Sequence, residues 1–579
     1  MPFPTMRLRA RRACVQLCAL CLLAVCLSAQ AGPGQHAVAS AHPLATAAGA
    51  AVFAAGGNAF DVAVAVTAAL GVVEPQGSGL GGGGFFLLHE AEVGRSVMLD
   101  ARETAPAAAH RGLYLDADGE VVPGLSLDGT LAAAIPGMPA ALVHLAGRYG
   151  RLTLDASLAP AIRLAEDGFP VDATFLQMAR FRLPALRAGA DAAGIFLRDG
   201  ELPAEGELIR QPDLADTLRR LAEQGLAGFY AGETAARLVD GVRSAGGIWT
   251  LEDLAGYAVV ERSPVVLEYR DARIVTAAPP SSGGIAIGQI LNILAARDDR
   301  HGDGDGEDEV QRVHLLVEAM RRAYRDRAVY LGDPDHVHIP VTRLLSLEHA
   351  AQLREGIDPE WATPSAELPL VAENAAVAPS SGESPQTSHF SVLDADGNRV
   401  AATITLNYPF GSGFVPPGTG VLLNNEMDDF SARPGVPNVY GLIGVEANAI
   451  GPQRRPLSSM TPTFVETPER VTVLGTPGGS RIITMVLHGI LAAVDGADAE
   501  EIVRIRRIHH QYLPDRIEFE SGAFSSEVLL ELARRGHTLA PQLRPFGNMQ
   551  VILWDRPDGR VEAASDPRGD GSAVVLPAG

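Results

Sequence analysis

The chain has 579 residues, 47% of them hydrophobic, and a formal net charge of −22 at pH 7. This length and composition predict a globular protein with a large core, in two or three domains or in one long α/β fold. The excess of acidic residues argues against nucleic acid or an anionic membrane surface as a partner. All 47 basic residues are arginine, which excludes a lysine nucleophile or Schiff base.

The first 31 residues have the pattern of a secretory signal peptide. A basic region precedes an apolar run from Ala13 to Leu27, and Ala29-Gln30-Ala31 is typical of a cleavage site. We therefore expect a periplasmic or secreted protein with no membrane span. All four cysteines lie in this segment, so the mature chain is expected to contain no disulfide or thiolate. Lipoprotein anchoring through Cys26 is a minor alternative.

The next segment contains a helical pattern followed by a glycine-rich block. Residues 42–70 are alanine-rich and predict two helices, interrupted at Gly56-Gly57-Asn58. The block from Gly79 to Gly84 matches G-x-G-x-x-G. A dinucleotide fingerprint needs a strand before it and a helix after it, whereas here the order is reversed. These glycines instead predict a close approach of backbone to backbone or to a substrate.

A buried strand from Val97 is expected to lead into the charged residues Asp100, Arg102 and Glu103. The arginine fits either a structural ion pair or an anion-binding site. Residues 136–260 are mostly amphipathic helix patterns. Residues 273–278 then predict a short strand, after which P-P-S-S-G-G at 279–284 forms a turn that begins another apolar helix.

Two features superficially suggest metal binding. Residues 301–309 are rich in Asp and Gly, but the calcium-loop pattern fails at its glycine and at its final glutamate. The histidine pairs at 336 and 338 and at 509 and 510 have no further ligand at a recognisable spacing. We therefore predict neither a metal nor a cofactor.

The stretch from Thr387 to Asn407 predicts a β-hairpin, because β-forming residues flank an Asp- and Gly-rich centre near Asp396. Residues 372–386 before it are small, polar and aperiodic, and predict an exposed, mobile tether. This junction suggests cleavage between Gln386 and Thr387. A hairpin centred at Asp396 places Thr387 opposite Thr405, with Asn407 on the same face. By itself, the pattern favours an ordinary solvent-facing hairpin.

Beyond the hairpin, residues 417–425 predict an apolar strand that leads to three acidic residues, Glu426, Asp428 and Asp429. Residues 434–441 predict a mobile loop with one aromatic. The Gly-Gly turn in G-T-P-G-G-S-R-I, from Gly475, precedes a helix, and its N–H groups suit an oxyanion. The chain has no G-x-S-x-G elbow, which excludes a conventional α/β-hydrolase.

These motifs, taken in order, resemble the γ-glutamyltransferase (γ-glutamyltranspeptidase, glutathione hydrolase) family over nearly the whole mature chain. The runs that carry the resemblance are G-G-N-A-F-D-V-A-V-A at 56, L-G-G-G-G-F at 80, D-A-R-E-T-A-P at 100, P-G-M-P at 136, A-P-P-S-S-G-G at 278, L-G-D-P-D at 331, Q-T-S-H-F-S-V at 386, L-L-N-N-E-M-D-D-F-S-A-R-P-G-V-P-N-V-Y-G at 422, R-P-L-S-S-M-T-P-T at 455 and P-G-G-S-R-I at 477.

The resemblance implies an N-terminal-nucleophile hydrolase of α+β class, a four-layer αββα sandwich. After the signal peptide, residues 1–31, a large subunit (32–386) and a small subunit (387–579) would form a heterodimer that folds as one intertwined unit. Thr387 would be the nucleophile for autocleavage and catalysis, with its freed α-amine as general base.

The resemblance also assigns the remaining site residues. Thr405 and Asn407 would orient the nucleophile, and Gly478 and Gly479 would form the oxyanion hole. The residues implied to bind substrate are Arg102, Ser458 and Ser459 for the α-carboxylate, Glu426 and Asp429 for the α-ammonium, and Tyr440 in a loop covering the pocket.

The implied substrates are glutathione and other γ-glutamyl compounds, with water, an amino acid or a dipeptide as acceptor. One alternative is a cephalosporin acylase of the same fold, which cleaves glutaryl chains without an α-amino group. Glu426 and Asp429 argue against it, because acidic groups beside a glutaryl chain would be costly. A secreted, non-catalytic binding protein is an alternative of another class.

Overall fold

The computed structural model describes residues 32–295, 306–368 and 387–578. Two large sheets are stacked face to face, and helices cover the outer face of each. This arrangement confirms the predicted α+β class and the αββα sandwich. The signal-peptide and tether predictions lie outside the described residues, as does Gln386.

The first sheet has seven strands in the order β18-β1-β9-β10-β2-β3-β6. Its strands in chain order are β1 (Gln35–Ser40), β2 (Gly83–Glu90), β3 (Arg95–Ala101), β6 (Val260–Arg262), β9 (Ser388–Leu393), β10 (Arg399–Thr405) and β18 (Ser572–Pro577).

The second sheet has six strands in the order β17-β16-β12-β11-β8-β7. Its strands in chain order are β7 (Val265–Tyr269), β8 (Ala272–Thr276), β11 (Thr463–Glu466), β12 (Arg470–Gly475), β16 (Gln550–Asp555) and β17 (Val561–Ser565). The remaining short strands are β4 (Phe169–Pro170), β5 (Leu208–Ile209), β13 (Ile508–His509), β14 (Ile517–Glu520) and β15 (Leu539–Gln542).

The helices of the first half of the chain include those that cover the seven-stranded sheet. They are α1 (Pro43–Ala54), α2 (Ala59–Val73), α3 (Met138–Arg148), α4 (Leu154–Asp167), α5 (Ala173–Phe181), α6 (Leu183–Ala188), α7 (Ala190–Phe196), α8 (Pro212–Gln224), α9 (Ala227–Tyr230), α10 (Gly232–Ser244) and α11 (Leu251–Ala255).

The later helices include those that cover the six-stranded sheet. They are α12 (Gly283–Ala295), α13 (Gly306–Tyr330), α14 (Val341–Leu344), α15 (Leu347–Glu355), α16 (Ile482–Val494), α17 (Ala499–Arg504) and α18 (Ser526–Arg534). Short 3₁₀ turns lie at Thr130–Ala132, Ser365–Glu367, Glu426–Asp429, Glu446–Asn448 and Gly479–Arg481. Within the described chain, no helix has the length and apolar character needed to cross a membrane.

Strand β2 shows why the sheet is stable inside the sandwich. Alternate side chains point to opposite faces of a strand, and here both sets are apolar. Phe86 and Leu88 pack on the helix side, whereas Phe85 and Leu87 pack between the two sheets. The strand is therefore buried on both faces.

The helix break predicted at Gly56-Gly57-Asn58 is confirmed. Helix α1 ends before it, and Asn58 caps α2 by accepting from Phe60 N and Asp61 N, while Asp61 accepts from Asn58 N. This reciprocal pair is a capping box, which fixes the start of α2.

The glycine-rich block brings backbones together, as predicted. A Cβ atom at Gly81 would lie 2.0 Å from Leu422 O, and one at Gly82 would lie 2.0 Å from Thr405 O. Any side chain at Gly82 would therefore displace the end of β10, where Thr405 lies.

The predicted hairpin is formed by β9 and β10. Ser388 pairs with Ile404 and Leu393 with Arg399, so the same register extended by one residue places Thr387 opposite Thr405. The predicted register is confirmed.

One predicted strand is wrong. Residues 421–425 make only an isolated bridge, between Leu423 and Gly81. Their backbone groups bind loops instead: Leu423 N donates to Phe414 O, and Asn424 N donates to Gly81 O. These separate partners cannot form a continuous ladder, so this apolar segment becomes a buried loop.

Both sheets combine strands from before and after Thr387. In the first sheet, β9 lies between β1 and β10, and β10 pairs with β2. In the second, β11 pairs with β8. A chain cut at Thr387 would therefore leave two segments that share both sheets.

Candidate active site

A cavity opens at the end of the hairpin. It contains Thr387 and nearly all of the other predicted site residues. The residues that line it are Arg102, Thr387, Thr405, Asn407, Glu426, Asp429, Tyr440, Leu442, Ser458, Ser459, Met460, Gly479, Ser480 and Ile482.

The hydroxyl groups of Thr387 and Thr405 meet at one end of this cavity, with their Oγ1 atoms 3.1 Å apart. The Thr405 hydroxyl also accepts a hydrogen bond from Asn407 N at 2.8 Å. Because a hydroxyl can accept and donate at once, Thr405 still has its own hydrogen to give to Thr387. This arrangement fixes the Thr387 oxygen in one position.

Asn407 follows the strand in a left-handed conformation, with φ of 76°. Asparagine tolerates this region better than most residues. Its side chain donates to Asn425 O at 2.9 Å, and its carbonyl accepts from the Tyr440 hydroxyl. Tyr440 is thereby anchored to Asn407 in the cavity that contains Thr387, and Gln511 Nε2 secures it further by donating to Tyr440 O at 3.0 Å.

The predicted oxyanion turn reaches the cavity that contains Thr387. Gly478 and Gly479 have φ of 140° and 57°, which favour glycine. A Cβ atom at Gly479 would lie 2.6 Å from the Tyr440 ring, so the turn needs glycine for space as well. Gly479 lines the cavity, and Gly478 immediately precedes it.

Another part of the cavity, called its charged end below, is lined by ionisable side chains. The Arg102 guanidinium, which is buried, binds the carboxylates of both Glu426 and Asp429. Glu103 is also buried, and its Oε2 lies 3.8 Å from Arg102 Nη1. Three carboxylates therefore surround one guanidinium. Arg102, predicted to bind the α-carboxylate, is thus in direct contact with Glu426 and Asp429, predicted to bind the α-ammonium.

Burial shifts the acid–base properties of this cluster. It raises the pKa of Glu103 to about 7, although Arg102 partly opposes the shift. Burial also raises the pKa of Glu426 well above its usual value, with Arg102 again opposing and Glu103 and Asp429 adding to it. Burial therefore favours the protonated, neutral form of both carboxyl groups, and the positive charge of Arg102 favours the ionised form.

Ser458 and Ser459 lie on a segment held by the turn at 279–284. Ser458 N donates to Pro280 O, and Ser282 N donates back to Ser458 O, each at 2.8 Å. The Ser281 hydroxyl donates to Met460 O at 2.7 Å. The turn predicted only as a helix start thus also supports the pocket wall.

Sequence reasoning missed several residues of this site. Met460, Ser480 and Ile482 lie inside the matched runs at 455 and 477 and could have been found there. Leu442, by contrast, follows its matched run, and Gln511 lies behind the cavity lining, where it donates to Tyr440 O and accepts from the Ser480 hydroxyl. No group of three or more possible metal-binding side chains is present in the part of the chain that the structure describes.

Comparisons with known proteins agree with this architecture. The family described as Gamma-glutamyltranspeptidase matches residues 45–576. A glutathione hydrolase proenzyme from Escherichia coli K12 is 43% identical over 538 residues, which cover 92% of this chain and 90% of the relative.

Two solved structures are also similar. A cephalosporin acylase from Bacillus halodurans is 30% identical, with a TM-score of 0.80, and covers 94% of this chain and 96% of its own. The gamma-glutamyltranspeptidase of Helicobacter pylori is 39% identical, with a TM-score of 0.55, over 58% of this chain and 97% of its own. The match of the family over almost the entire length is decisive: the chain belongs to the gamma-glutamyltranspeptidase family.

Proposed function

We propose that this protein is an autoprocessing γ-glutamyltransferase and glutathione hydrolase whose nucleophile is Thr387. The observation that carries this function is one cavity in which a threonine hydroxyl, supported by Thr405, faces a buried cluster of Arg102, Glu426 and Asp429. The Escherichia coli relative, a glutathione hydrolase proenzyme, supports the same activity and processing from a precursor.

The reaction begins when Thr387 Oγ1 attacks the γ-carbonyl carbon and its proton passes to the α-amine of the same residue. The negative charge on the carbonyl oxygen is stabilised by the N–H groups of Gly478 and Gly479. The C–N bond then breaks, and the departing nitrogen takes the proton. Water, or the amine of an amino acid or dipeptide, attacks the resulting ester and releases the γ-glutamyl group.

The charged end of the cavity suits the α-amino acid part of the donor. Its α-carboxylate would bind Arg102, Ser458 and Ser459, and its α-ammonium would bind Glu426 and Asp429. Because a zwitterion carries one charge of each sign, it can insert between the guanidinium and the carboxylates without leaving either uncompensated. Glu426 Oε2 accepts no hydrogen bond from the described residues, so it is available to an ammonium group.

The α-amine of Thr387 exists only after the bond to Gln386 is cut. We propose that the same hydroxyl performs this cut and gives a heterodimer of residues 32–386 and 387–579. The strands on either side of Thr387 share both sheets, which would hold the two chains together. The N-terminal signal would direct the protein to the periplasm or the medium, with an anchor at Cys26 as the lesser possibility.

Replacement of the nucleophile tests this function. Wild-type protein should give two bands on a denaturing gel and release p-nitroaniline from γ-glutamyl-p-nitroanilide. Thr387→Ala should give one uncut band and no release, whereas Thr387→Ser keeps a hydroxyl and should retain both. Wild-type protein that turns over the substrate as a single uncut chain would contradict the mechanism.

Glutaryl acylase activity is the second candidate, because the Bacillus halodurans cephalosporin acylase shares the fold over 94% of this chain. A glutaryl chain has no ammonium group to face Glu426 and Asp429, so we expect much slower cleavage of a glutaryl cephalosporin than of glutathione. A faster rate on the glutaryl substrate would favour the acylase.

A further inference from the structure

Arg327 is a buried cation that has no acidic partner among the residues that the structure describes. It lies in α13 and is 5% exposed. Each of the other eight buried arginines in the described residues lies within 4.0 Å of a carboxylate. No described carboxylate is that close to Arg327. Since buried charges in proteins are normally paired, this exception suggests that the partner arrives with a ligand.

The side chain of Arg327 ends behind the pocket wall. Its Nε donates to Ser282 Oγ at 3.0 Å, and its Nη2 donates to Ser459 Oγ at 3.4 Å. Ser459 lines the cavity that contains Thr387. The Ser459 hydroxyl therefore links the Arg327 guanidinium to the cavity in which a substrate would lie.

The chemistry of the guanidinium fixes the direction of these hydrogen bonds. Arginine can only donate, so the Ser459 oxygen must accept from Arg327, which leaves its own hydrogen for another acceptor. The Ser282 hydroxyl likewise accepts from Arg327 and donates to Ser458 O at 2.7 Å. One cation therefore orients the Ser459 hydroxyl directly and supports its neighbour through Ser282.

The charge balance of the pocket shows why a second cation matters. Arg102 is already bound by Glu426 and Asp429, so these three groups together carry an excess negative charge when both carboxylates are ionised. With Glu426 protonated, as its raised pKa favours, Asp429 still offsets the charge of Arg102, so in either state the three groups offer an approaching carboxylate no net positive charge. The charged groups of the pocket also act electrostatically on Arg327. Burial lowers the pKa of its guanidinium, Tyr324 and Asp429 raise this pKa, and the positive charge of Arg102 lowers it.

We propose that Arg327 is a positioning residue for the donor's α-carboxylate and acts through the Ser459 hydroxyl. It supplies a positive charge near the pocket, where the charge of Arg102 is offset by its acidic partners Glu426 and Asp429. This inference rests on the proposed γ-glutamyl site and adds a specificity determinant to it. Arg327 acts from behind Ser459 and does not touch the reacting atoms.

Kinetics on two donors test this role. One is γ-glutamyl-p-nitroanilide and the other is 4-aminobutyryl-p-nitroanilide, which has the amine but lacks the α-carboxylate. Arg327→Gln should raise KM for the first by about 10- to 100-fold, with kcat changed by less than about 3-fold and the second donor hardly affected. Arg327→Lys keeps the charge and should recover part of the preference.

A double-mutant comparison separates positioning from general support. If Arg327 acts through Ser459, adding Ser459→Ala to Arg327→Gln should raise KM little further. Ser282→Ala removes the bridge to Ser458 and should retain most of the preference between the donors. Equal losses on both donors would mean that Arg327 only supports the fold, and no loss on either would also overturn the proposal.

Direct binding distinguishes this proposal from the proposed function. Calorimetry with L-glutamate and with 4-aminobutyrate needs no turnover, and it can be done with Arg327→Lys and Ser459→Ala if Arg327→Gln does not fold. If the protein showed no turnover but these variants bound glutamate more weakly than the wild type, the positioning role of Arg327 would be supported and the proposed enzymatic function contradicted. Normal turnover with unchanged glutamate binding in the variants would support the proposed enzymatic function and contradict the positioning role of Arg327. Absence of both turnover and glutamate binding in the wild type would overturn both.

Discussion

The two ends of the cavity are built in different ways. The end that contains Thr387 is built from hydroxyl and amide side chains, those of Thr387, Thr405 and Asn407, and is held by strand register and hydrogen bonds to the Thr405 hydroxyl; it is called the neutral end below. The charged end joins Arg102 to Glu426, which is 324 residues away in the sequence, by side-chain contacts alone. The neutral end fixes the position of one oxygen, whereas the charged end can discriminate between substrates by their charge.

The difference has energetic consequences. Neutral hydrogen bonds contribute modestly and cost little when buried, because each partner is satisfied. Buried charges are costly unless they are paired, so removal of one member destabilises the others. We therefore expect substitutions at the charged end to affect stability and substrate binding, and those at the neutral end to affect the rate of the chemical step.

The largest effect should follow loss of the central cation. Arg102→Gln leaves Glu426 and Asp429 without their counter-ion, which should lower the free energy of unfolding by about 3–5 kcal/mol. KM for glutathione should rise by about 100-fold or more. Denaturant unfolding and steady-state kinetics measure the two effects, and cleavage before Thr387 should persist.

The matched control is Arg95→Gln, which removes a surface ion pair with Glu90 in which the arginine side chain is 46% exposed. That change should cost less than about 1 kcal/mol. If the Arg102 and Arg95 variants were equally stable and bound glutathione equally well, the charged end would have no special role.

A smaller effect is expected at the neutral end. Thr405→Val removes the hydroxyl beside Thr387 with almost no change in shape, and kcat should fall by about 10- to 100-fold. KM should change little, because the group contacts the nucleophile rather than the donor. Thr405→Ser restores the hydroxyl and should restore the rate. A rise in KM at unchanged kcat would instead place Thr405 in substrate binding.

The smallest effect concerns pH. A carboxyl group whose pKa is raised to about 7 by burial, as in Glu103, contributes stability that is present below its unfolded pKa and lost as pH rises through about 7. Relative to Glu103→Gln, wild-type stability should therefore fall between about pH 5 and pH 8, by on the order of 1–3 kcal/mol. Thermal unfolding of both proteins across this range measures the difference, and parallel curves would contradict a raised pKa of Glu103.

The same contrast explains what could be predicted from the sequence. The hairpin register and the position of Thr405 follow from the two-residue strand period, and the Gly82 contact follows from the lack of a side chain. Both depend on local geometry. The strand predicted at 417–425 failed because an apolar pattern does not specify which backbone groups will be its partners.

The charged end could not be derived in this way. Nothing in the spacing of Arg102 and Glu426 indicates that they touch, and their roles came from family resemblance alone. Arg327 was harder still to identify, because it is one of several arginines in α13 and the sequence does not reveal that it has no carboxylate partner among the described residues. Only the folded arrangement separates it from Arg321 and Arg322, which bind Glu318.

The central claim is that Thr387 is both the first residue of the small subunit and the residue that carries the γ-glutamyl group. Mass spectrometry after rapid acid quenching of wild-type protein with γ-glutamyl-p-nitroanilide tests both parts at once. We predict a fragment that begins at Thr387 and gains one γ-glutamyl group on that residue. A γ-glutamyl group on any other residue, or a small subunit that begins elsewhere, would contradict the account.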